Sequence, residues 1–378
     1  MRMAVLSFFA FFSMLEAYEF HDLDYLDQRV TKKQIEKRLT FLVKDRQLEA
    51  YYSLTDQCFS LHASLEDKLL NKVEYSLALA SDEVSKPQIK KDLKGVKIAL
   101  DPGHIGGKWK AYEKRFIALI DPDTQKKLSF NEPQMAYQVA EILKGLLEEK
   151  GAEVLITKKG EDAAVYEWDF KQWLAMAHPQ AEEDSYAAFF RTEYNVLDMQ
   201  ARADKINAFR PDLCLIIHFN ADIPTSSELG KQGFAEDNYS LVFVPGAFMI
   251  GELNTSAKRV EFARLALTCD LEESISFSEI CLKNLVEDLG VPALVDSPLA
   301  PTYITKASIQ IEPGVYARNL FMARMVHSPL CYGEALIQNH LEEARKLSSL
   351  EEEGSSCSAR VRLVAKSYFN SIVQYFCN

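Results

Sequence analysis

Two histidines and two glutamates stand where short runs of chain give way to turns or helices, and their types suit a hydrolytic metal centre. His104 ends the stretch Val96-Lys97-Ile98-Ala99-Leu100-Asp101-Pro102-Gly103-His104. His218 ends Leu213-Cys214-Leu215-Ile216-Ile217-His218, and Asn220-Ala221-Asp222 follows as a turn. Glu312 ends Ala307-Ser308-Ile309-Gln310-Ile311-Glu312, directly before Pro313-Gly314. Glu132 lies in Asn131-Glu132-Pro133, where a helical pattern begins. Two neutral imidazoles and one carboxylate form a ligand set for catalytic zinc that leaves a fourth position for water, whose pKa falls to roughly 7. A second carboxylate can then accept and return the proton. No HExxH helix is present, so the pattern is not thermolysin-like. On spacing alone, each of the four could equally finish a strand or cap a helix, as polar residues at turns do.

The elements that must position these groups can be read from periodicity. Val96, Ile98, Ala99 and Leu100 predict a strand covered on both faces, broken by Asp101-Pro102-Gly103. In open α/β sheets, ligands bind at the carboxyl ends of such strands. Residues 115–120 and 127–130 predict a hairpin across Asp121-Pro122-Asp123-Thr124. Met135, Val139, Ile142, Leu143, Leu146 and Leu147 predict one face of a helix that runs from Glu132 to about Lys150 and stops at Gly151. A strand over 153–157 completes a βαβ unit with a right-handed crossover. Residues 158–193, with Trp168 and Trp173, read as an insertion bordering a groove. Farther on, helices are expected over 195–209, 257–269, 277–289, 319–326, 334–347 and 361–376, with a strand over 240–244. The fold class is therefore α/β, a mostly parallel twisted sheet with helices on both faces. A small helical N-terminal region is expected before it, from the patterns over 32–52 and 60–80. The boundaries read as a leader over 1–17, the helical region and a charged linker over 18–94, a catalytic domain over 95–348, and an acidic linker with a terminal helix over 349–378.

Bulk properties narrow the function. A hydrophobic fraction of 48% is ordinary for a globular chain with a sizeable core. A net charge of −12 argues against a nucleic-acid partner, because phosphate backbones select basic surfaces. Arg2, the apolar run Ala4 to Leu15, and Ala17 follow the order of a secretory signal peptide, although Leu15 is large for its place before the cut. A periplasmic or secreted protein is expected, with no transmembrane segment after the leader. The seven cysteines contain no CxxC pair, and their pairing is left open. His21 and His62 lack neighbours of ligand type and read as structural, and His178, in a loop before Pro179, reads as structural with metal ligation as its alternative.

Four motifs in order resemble the zinc-dependent N-acetylmuramoyl-L-alanine amidases, the cell-wall hydrolases called amidase type 3. They are Asp101-Pro102-Gly103-His104-Ile105-Gly106-Gly107, then Glu132 with its helix, Gly151 and the following strand. Leu197, Arg202 and Asn207 come next, before His218-Phe219-Asn220-Ala221, and last Ile311-Glu312-Pro313-Gly314 with Asn319. The resemblance covers about 96–347. It implies zinc held by His104, Glu132 and His218, with Glu312 as the catalytic base. It also implies cleavage of the amide between N-acetylmuramic acid and L-alanine in peptidoglycan or a muropeptide. Asp101 would orient His104 or serve the turn, Asn220 would contact ligand or stabilise its turn, and Arg202 would bind an acidic peptide group or form a salt bridge. The chain departs from the family at Ile105, in the long interval between His104 and Glu132, and around Tyr316 to Asn319. A related zinc carboxypeptidase or peptidase, and a non-catalytic cell-wall binding protein, are the alternative readings. Control by a blocking helix and a protein activator is open, with Glu272-Glu273 and the inserts as candidates.

Overall fold

The computed structural model describes residues 18–81, 92–113, 115–222, 233–295, 301–349 and 357–377. The leader read at 1–17 lies outside them, as do most of the charged linker and of the acidic linker. Among the described residues, twelve strands are formed in chain order: β1 (Tyr52–Leu54), β2 (Cys58–Leu61), β3 (Tyr75–Ala78), β4 (Lys97–Pro102), β5 (Phe116–Ile120), β6 (Lys127–Asn131), β7 (Glu153–Ile156), β8 (Leu213–Asn220), β9 (Leu241–Val244), β10 (Ser308–Glu312), β11 (Val315–Arg318) and β12 (Leu330–Ile337). Helices of eight or more residues are α1 (Lys32–Leu42), α2 (Glu132–Glu149), α3 (Phe170–Ala177), α4 (Asn195–Phe209), α5 (Ser256–Leu267), α6 (Asp270–Leu289), α7 (Leu341–Ser348) and α8 (Ala359–Cys377).

The main sheet has seven strands in the order β10-β11-β9-β12-β8-β4-β7. Strands β12, β8, β4 and β7 run parallel, β9 runs against β12, and β10 and β11 form an antiparallel edge pair. This is the mostly parallel sheet expected. Its central strands are continuous apolar runs because both faces are covered. Leu213, Leu215, Ile217 and Phe219 enter one core, shared with residues of α2, α6 and α8, while Cys214 and Ile216 enter another with Ala203 and Ile206 of α4. Strand β4 divides likewise, Ile98 and Leu100 to the first core and Ala99 to the second.

Two expectations are corrected. The stretch 334–347 is not one helix: residues 330–337 form β12, inserted between β8 and β9, and only α7 is helical. Two-residue alternation wins over the helical propensity of Glu334-Ala335-Leu336, because Cys331 and Ala335 pack into the first core while Leu330 packs into the second. The N-terminal region is not all helical. After α1, the chain forms the antiparallel sheet β1-β2-β3, in which Phe59, Leu61 and Leu77 are buried. Those three residues join Ile35 and Leu42 in the same core as the main sheet. Arg38 also binds Glu272 at 2.6 Å, so that glutamate anchors the N-terminal region to α6. The terminal helix α8 is present, and its Val361, Val364, Tyr368 and Ile372 are buried in the first core. None of the seven cysteines forms a disulfide among the described residues.

Candidate active site

Sheet geometry decides which polar side chains can meet. Successive side chains of a strand point to opposite faces. On β8, His218 shares the face of Cys214 and Ile216; on β12, Glu334 shares that of Leu330 and Tyr332. Register sets Glu334 directly beside His218. Phe243 of β9 and Arg318 of β11 continue the row, with the Arg318 guanidinium 5.3 Å from the centre of the Phe243 ring. These groups line a cleft of about 380 Å³ together with His104, Arg115 and Glu132.

His104 reaches the cleft through a strained turn, with a left-handed φ of 60° at a residue that carries a Cβ. Gly103 is required beside it: a Cβ there would lie 2.2 Å from His218 Cε1. Glu132 enters from the first turn of α2, which Asn131 caps and Pro133 pre-forms. The β5–β6 hairpin sets this entry point, because Glu132 N–H donates to the Arg115 carbonyl at 3.2 Å. Arg345 of α7 fixes the hairpin tip, with Nε and Nη2 each 2.8 Å from an oxygen of Asp121.

The three groups converge. One donor atom from each of His104, Glu132 and His218 lies within 4.8 Å of the others, a set able to hold a metal ion. Glu132 Oε1 is 3.1 Å from His104 Nε2, 2.9 Å from His218 Nδ1 and 3.2 Å from the Phe219 N–H. Gln338 Nε2 donates to its other oxygen at 3.2 Å. Burial alone would raise the Glu132 carboxyl, but the charge and hydrogen bonds of His104, with His218 and Arg115, hold it well below the usual carboxylate range. Burial pushes His218 down to about 4 against its bond to Glu132, so its ring nitrogen keeps a lone pair at neutral pH. The His218 ring stacks on Tyr332, with centroids 4.5 Å apart. His104 Nδ1 faces Glu113 Oε2 at 3.1 Å, which leaves Nε2 to face the centre. The donor set therefore fits zinc.

Glu312 does not join this group. A bulge between Gln310 and Glu312 shifts the register, so Glu312 pairs with Val315, whose side chain enters the first core. Its exposed carboxylate borders a separate groove with Glu279, Leu282 and Lys283 of α6, on the opposite face of the sheet. Glu334 stands where the expected second carboxylate should be. Burial, reinforced by the nearby Glu132 charge, raises its carboxyl well above the ordinary value. Its Oε2 has no hydrogen-bond partner among the described residues. The other expectations resolve as follows. Asp101 does not touch His104; it accepts from Arg202 Nε at 2.8 Å and Thr157 Oγ1 at 2.6 Å. Arg202 is thus the buried salt bridge and not a peptide-binding group. Asn220 lines the cleft and caps its own turn through the Ala221 N–H at 2.8 Å. His178 pairs with Glu193 at 2.9 Å, away from the centre.

The family described as N-acetylmuramoyl-L-alanine amidase matches residues 98–359, more than half of the chain. The chain belongs to that family of cell-wall amide hydrolases. No curated protein gives a significant match. Among solved structures, the chain is similar to the N-acetylmuramyl-L-alanine amidase Ami1 from Mycobacterium smegmatis, with 14% identity and a TM-score of 0.45 over 75% of this chain and 98% of that one. It is also similar to the CwlD amidase from Clostridioides difficile, solved in complex with the GerS lipoprotein, with 13% identity and a TM-score of 0.42 over 74% of this chain and 98% of that one. No helix among the described residues is long and apolar enough to cross a membrane.

Proposed function

We propose that the protein is an exported zinc enzyme that hydrolyses the amide between the lactyl group of N-acetylmuramic acid and L-alanine, in peptidoglycan or in muropeptides. The observation that carries this reading is the convergence of His104, Glu132 and His218 with Glu334 in one cleft. His104 Nε2, His218 Nδ1 and a carboxyl oxygen of Glu132 would hold the ion. Zinc bound there supplies a Lewis acid that polarises the scissile carbonyl and lowers the pKa of water to roughly 7. Glu334 takes a proton from the attacking water on a carboxyl oxygen and returns it to the departing alanine amine. Tyr332 and Phe243 form the apolar side of the cleft, and Gln338 and the Phe219 N–H fix the Glu132 carboxylate. Export, to the periplasm or beyond, rests on the order of Arg2, the apolar run and Ala17.

The test is incubation of the purified protein with muropeptides, following release of the stem peptide by mass spectrometry with and without a chelator. Stem-peptide release that stops on chelation and returns with zinc is expected. Release that ignores the chelator would sink the zinc reading, and products shortened at the carboxyl end would favour a carboxypeptidase instead.

Glu113 is a positioning residue in this scheme, because its carboxylate fixes the tautomer and ring angle of His104. Glu113→Gln should weaken zinc binding by about 10- to 100-fold while leaving the circular dichroism spectrum intact. Titration against a competing zinc indicator measures it; an unchanged zinc affinity would remove Glu113 from the site.

A further inference from the structure

The ring of Tyr332 forms part of the apolar side of the cleft, but its hydroxyl plays no part in the proton transfer carried by Glu334. Tyr332 stands on β12 two residues before Glu334, and side chains two apart on a strand share a face. Strand β12 lies inside the sheet, and register sets Tyr332 beside Ile216 of β8 and Phe243 of β9. The His218 ring lies over the phenol with planes 9° apart, and the Phe243 ring meets it at 73° with centroids 6.1 Å apart. Two aromatic neighbours thus fix the ring. Tyr332 is half-buried and lines the cleft with His104, Glu132 and Glu334. Its hydroxyl bonds no protein group among the described residues. Glu334 Oε2 is likewise without a partner there. The hydroxyl lies close to the reacting centre: burial raises the phenol well above its ordinary value, and the charges of Glu334 and then Glu132 raise it further. Even at the ordinary value of about 10, a phenol keeps its proton at neutral pH and can donate it in a hydrogen bond. Polar groups turned into a cleft without protein partners are placed to meet a ligand or water.

We propose that the Tyr332 phenol is a second catalytic group, donating its O–H to the carbonyl oxygen of the scissile amide as negative charge develops there. When the water oxygen bonds to the carbonyl carbon, a water proton passes to Glu334 and the C=O π pair moves onto the carbonyl oxygen. The phenol keeps its own proton throughout and hydrogen-bonds that oxygen. When the pair returns to carbon, the C–N bond breaks and the nitrogen takes the proton held by Glu334. A donor fixed in advance is worth most at this step, because nothing has to reorganise as the charge appears. Two residues of one strand then divide the work, Glu334 the proton and Tyr332 the charge. This inference rests on the amidase reading and adds a residue to its transition state.

The experiment compares wild type with Tyr332→Phe, both as the zinc-loaded full chain, on N-acetylmuramoyl-L-Ala-γ-D-Glu-L-Lys. Phenylalanine keeps the ring against His218 and removes only the hydroxyl. The variant should lose about 10- to 100-fold in kcat, the range for a lost hydrogen bond to a charged group, with KM and zinc affinity within about twofold of wild type. A second readout needs no turnover. The same peptide with a phosphinate in place of the scissile amide mimics the tetrahedral state, and calorimetry should show its affinity for the variant reduced by a similar factor. A variant with wild-type kcat and wild-type phosphinate affinity would overturn the proposal. So would a loss of kcat matched by an equal loss of zinc affinity, since Tyr332 would then act only by positioning His218. If the wild type leaves the muropeptide uncut, the amidase reading fails, and the two phosphinate affinities still decide for or against the phenol.

Discussion

Glu334→Gln is expected to lower kcat for stem-peptide release by about 10²- to 10⁴-fold, the range for loss of a positioned acid–base group, whereas Glu312→Ala should leave kcat within about twofold, as befits a surface change away from the reacting groups. The contrast follows from the two strands that carry these carboxylates. Glu334 is in register with His218, on the face that forms the cleft. Glu312 lies on the edge strand β10 and faces α6. Glutamine keeps the shape of Glu334 and its place beside Tyr332, so zinc content should stay at the wild-type level. Kinetics on muropeptides together with metal analysis check both halves. If Glu312→Ala proved the inactive variant, the base assignment would revert to the edge strand.

The second large effect is on stability. Asp101→Ala should destabilise the protein by about 3–5 kcal/mol, the cost of leaving a buried charge without its partner. The stranded group is Arg202, whose side chain is 6% exposed. In the intact protein it bonds Asp101 through Nε at 2.8 Å and through Nη2, while Thr157 holds the same carboxylate. Asp198, 3.9 Å from Arg202, is too distant to replace those bonds. Exchanging both residues for apolar ones, Asp101→Leu with Arg202→Met, should recover most of the loss, since a buried pair adds little over a well-packed core. Urea unfolding of the single and double variants measures this. A single variant within about 1 kcal/mol of wild type would mean that water reaches Arg202, since only a solvated site makes breaking the pair that cheap. Burial pushes the Asp101 carboxyl up, but Arg202 more than offsets it and keeps the folded value below the ordinary one. Stability from this pair is therefore complete above about pH 4 and is lost as pH falls through the folded value.

Much of the framework can be read from the chain because the relevant signals are local. Strand β4 and its turn, the hairpin, α2 and β8 each declare themselves within about ten to twenty residues by periodicity and breaker residues. His104, Glu132 and His218, the candidate ligands, can be singled out in this way, since each stands at the boundary of a readable element. Glu334 was missed because β12 is legible only from its surroundings. Gly333 and the run Glu334-Ala335-Leu336 do not suit a strand in isolation. The eight-residue length, bounded by Pro329 on one side and Gln338-Asn339 on the other, is the signal that separates it from a helix. Glu312 drew attention as a carboxylate at a strand end, yet the bulge that turns it away depends on pairing with β11. Gln338 and Arg318 meet their neighbours across long sequence separations, Glu113 lies close to His104 in sequence, and no periodic pattern marks any of the three. The sheet β1-β2-β3 was hidden for a related reason, its strands being only three or four residues long.

The insertion of β12 between β8 and β9 has a temporal consequence. Synthesis proceeds from the N-terminus, and segments of a nascent chain begin to organise as they emerge. A chain that has grown only to Arg318 already contains His104, Glu132 and His218, on β4, α2 and β8. It still lacks Glu334, the Gln338 clamp on Glu132, and the strand that joins β8 to the far half of the sheet. On the proposed reading, the residues that would capture the ion thus belong to the early part of the chain and the one that would move the proton to the late part. A partly made or C-terminally shortened chain would hold the prospective ligands without the proposed base, so on that reading hydrolysis would wait for the last strand to arrive.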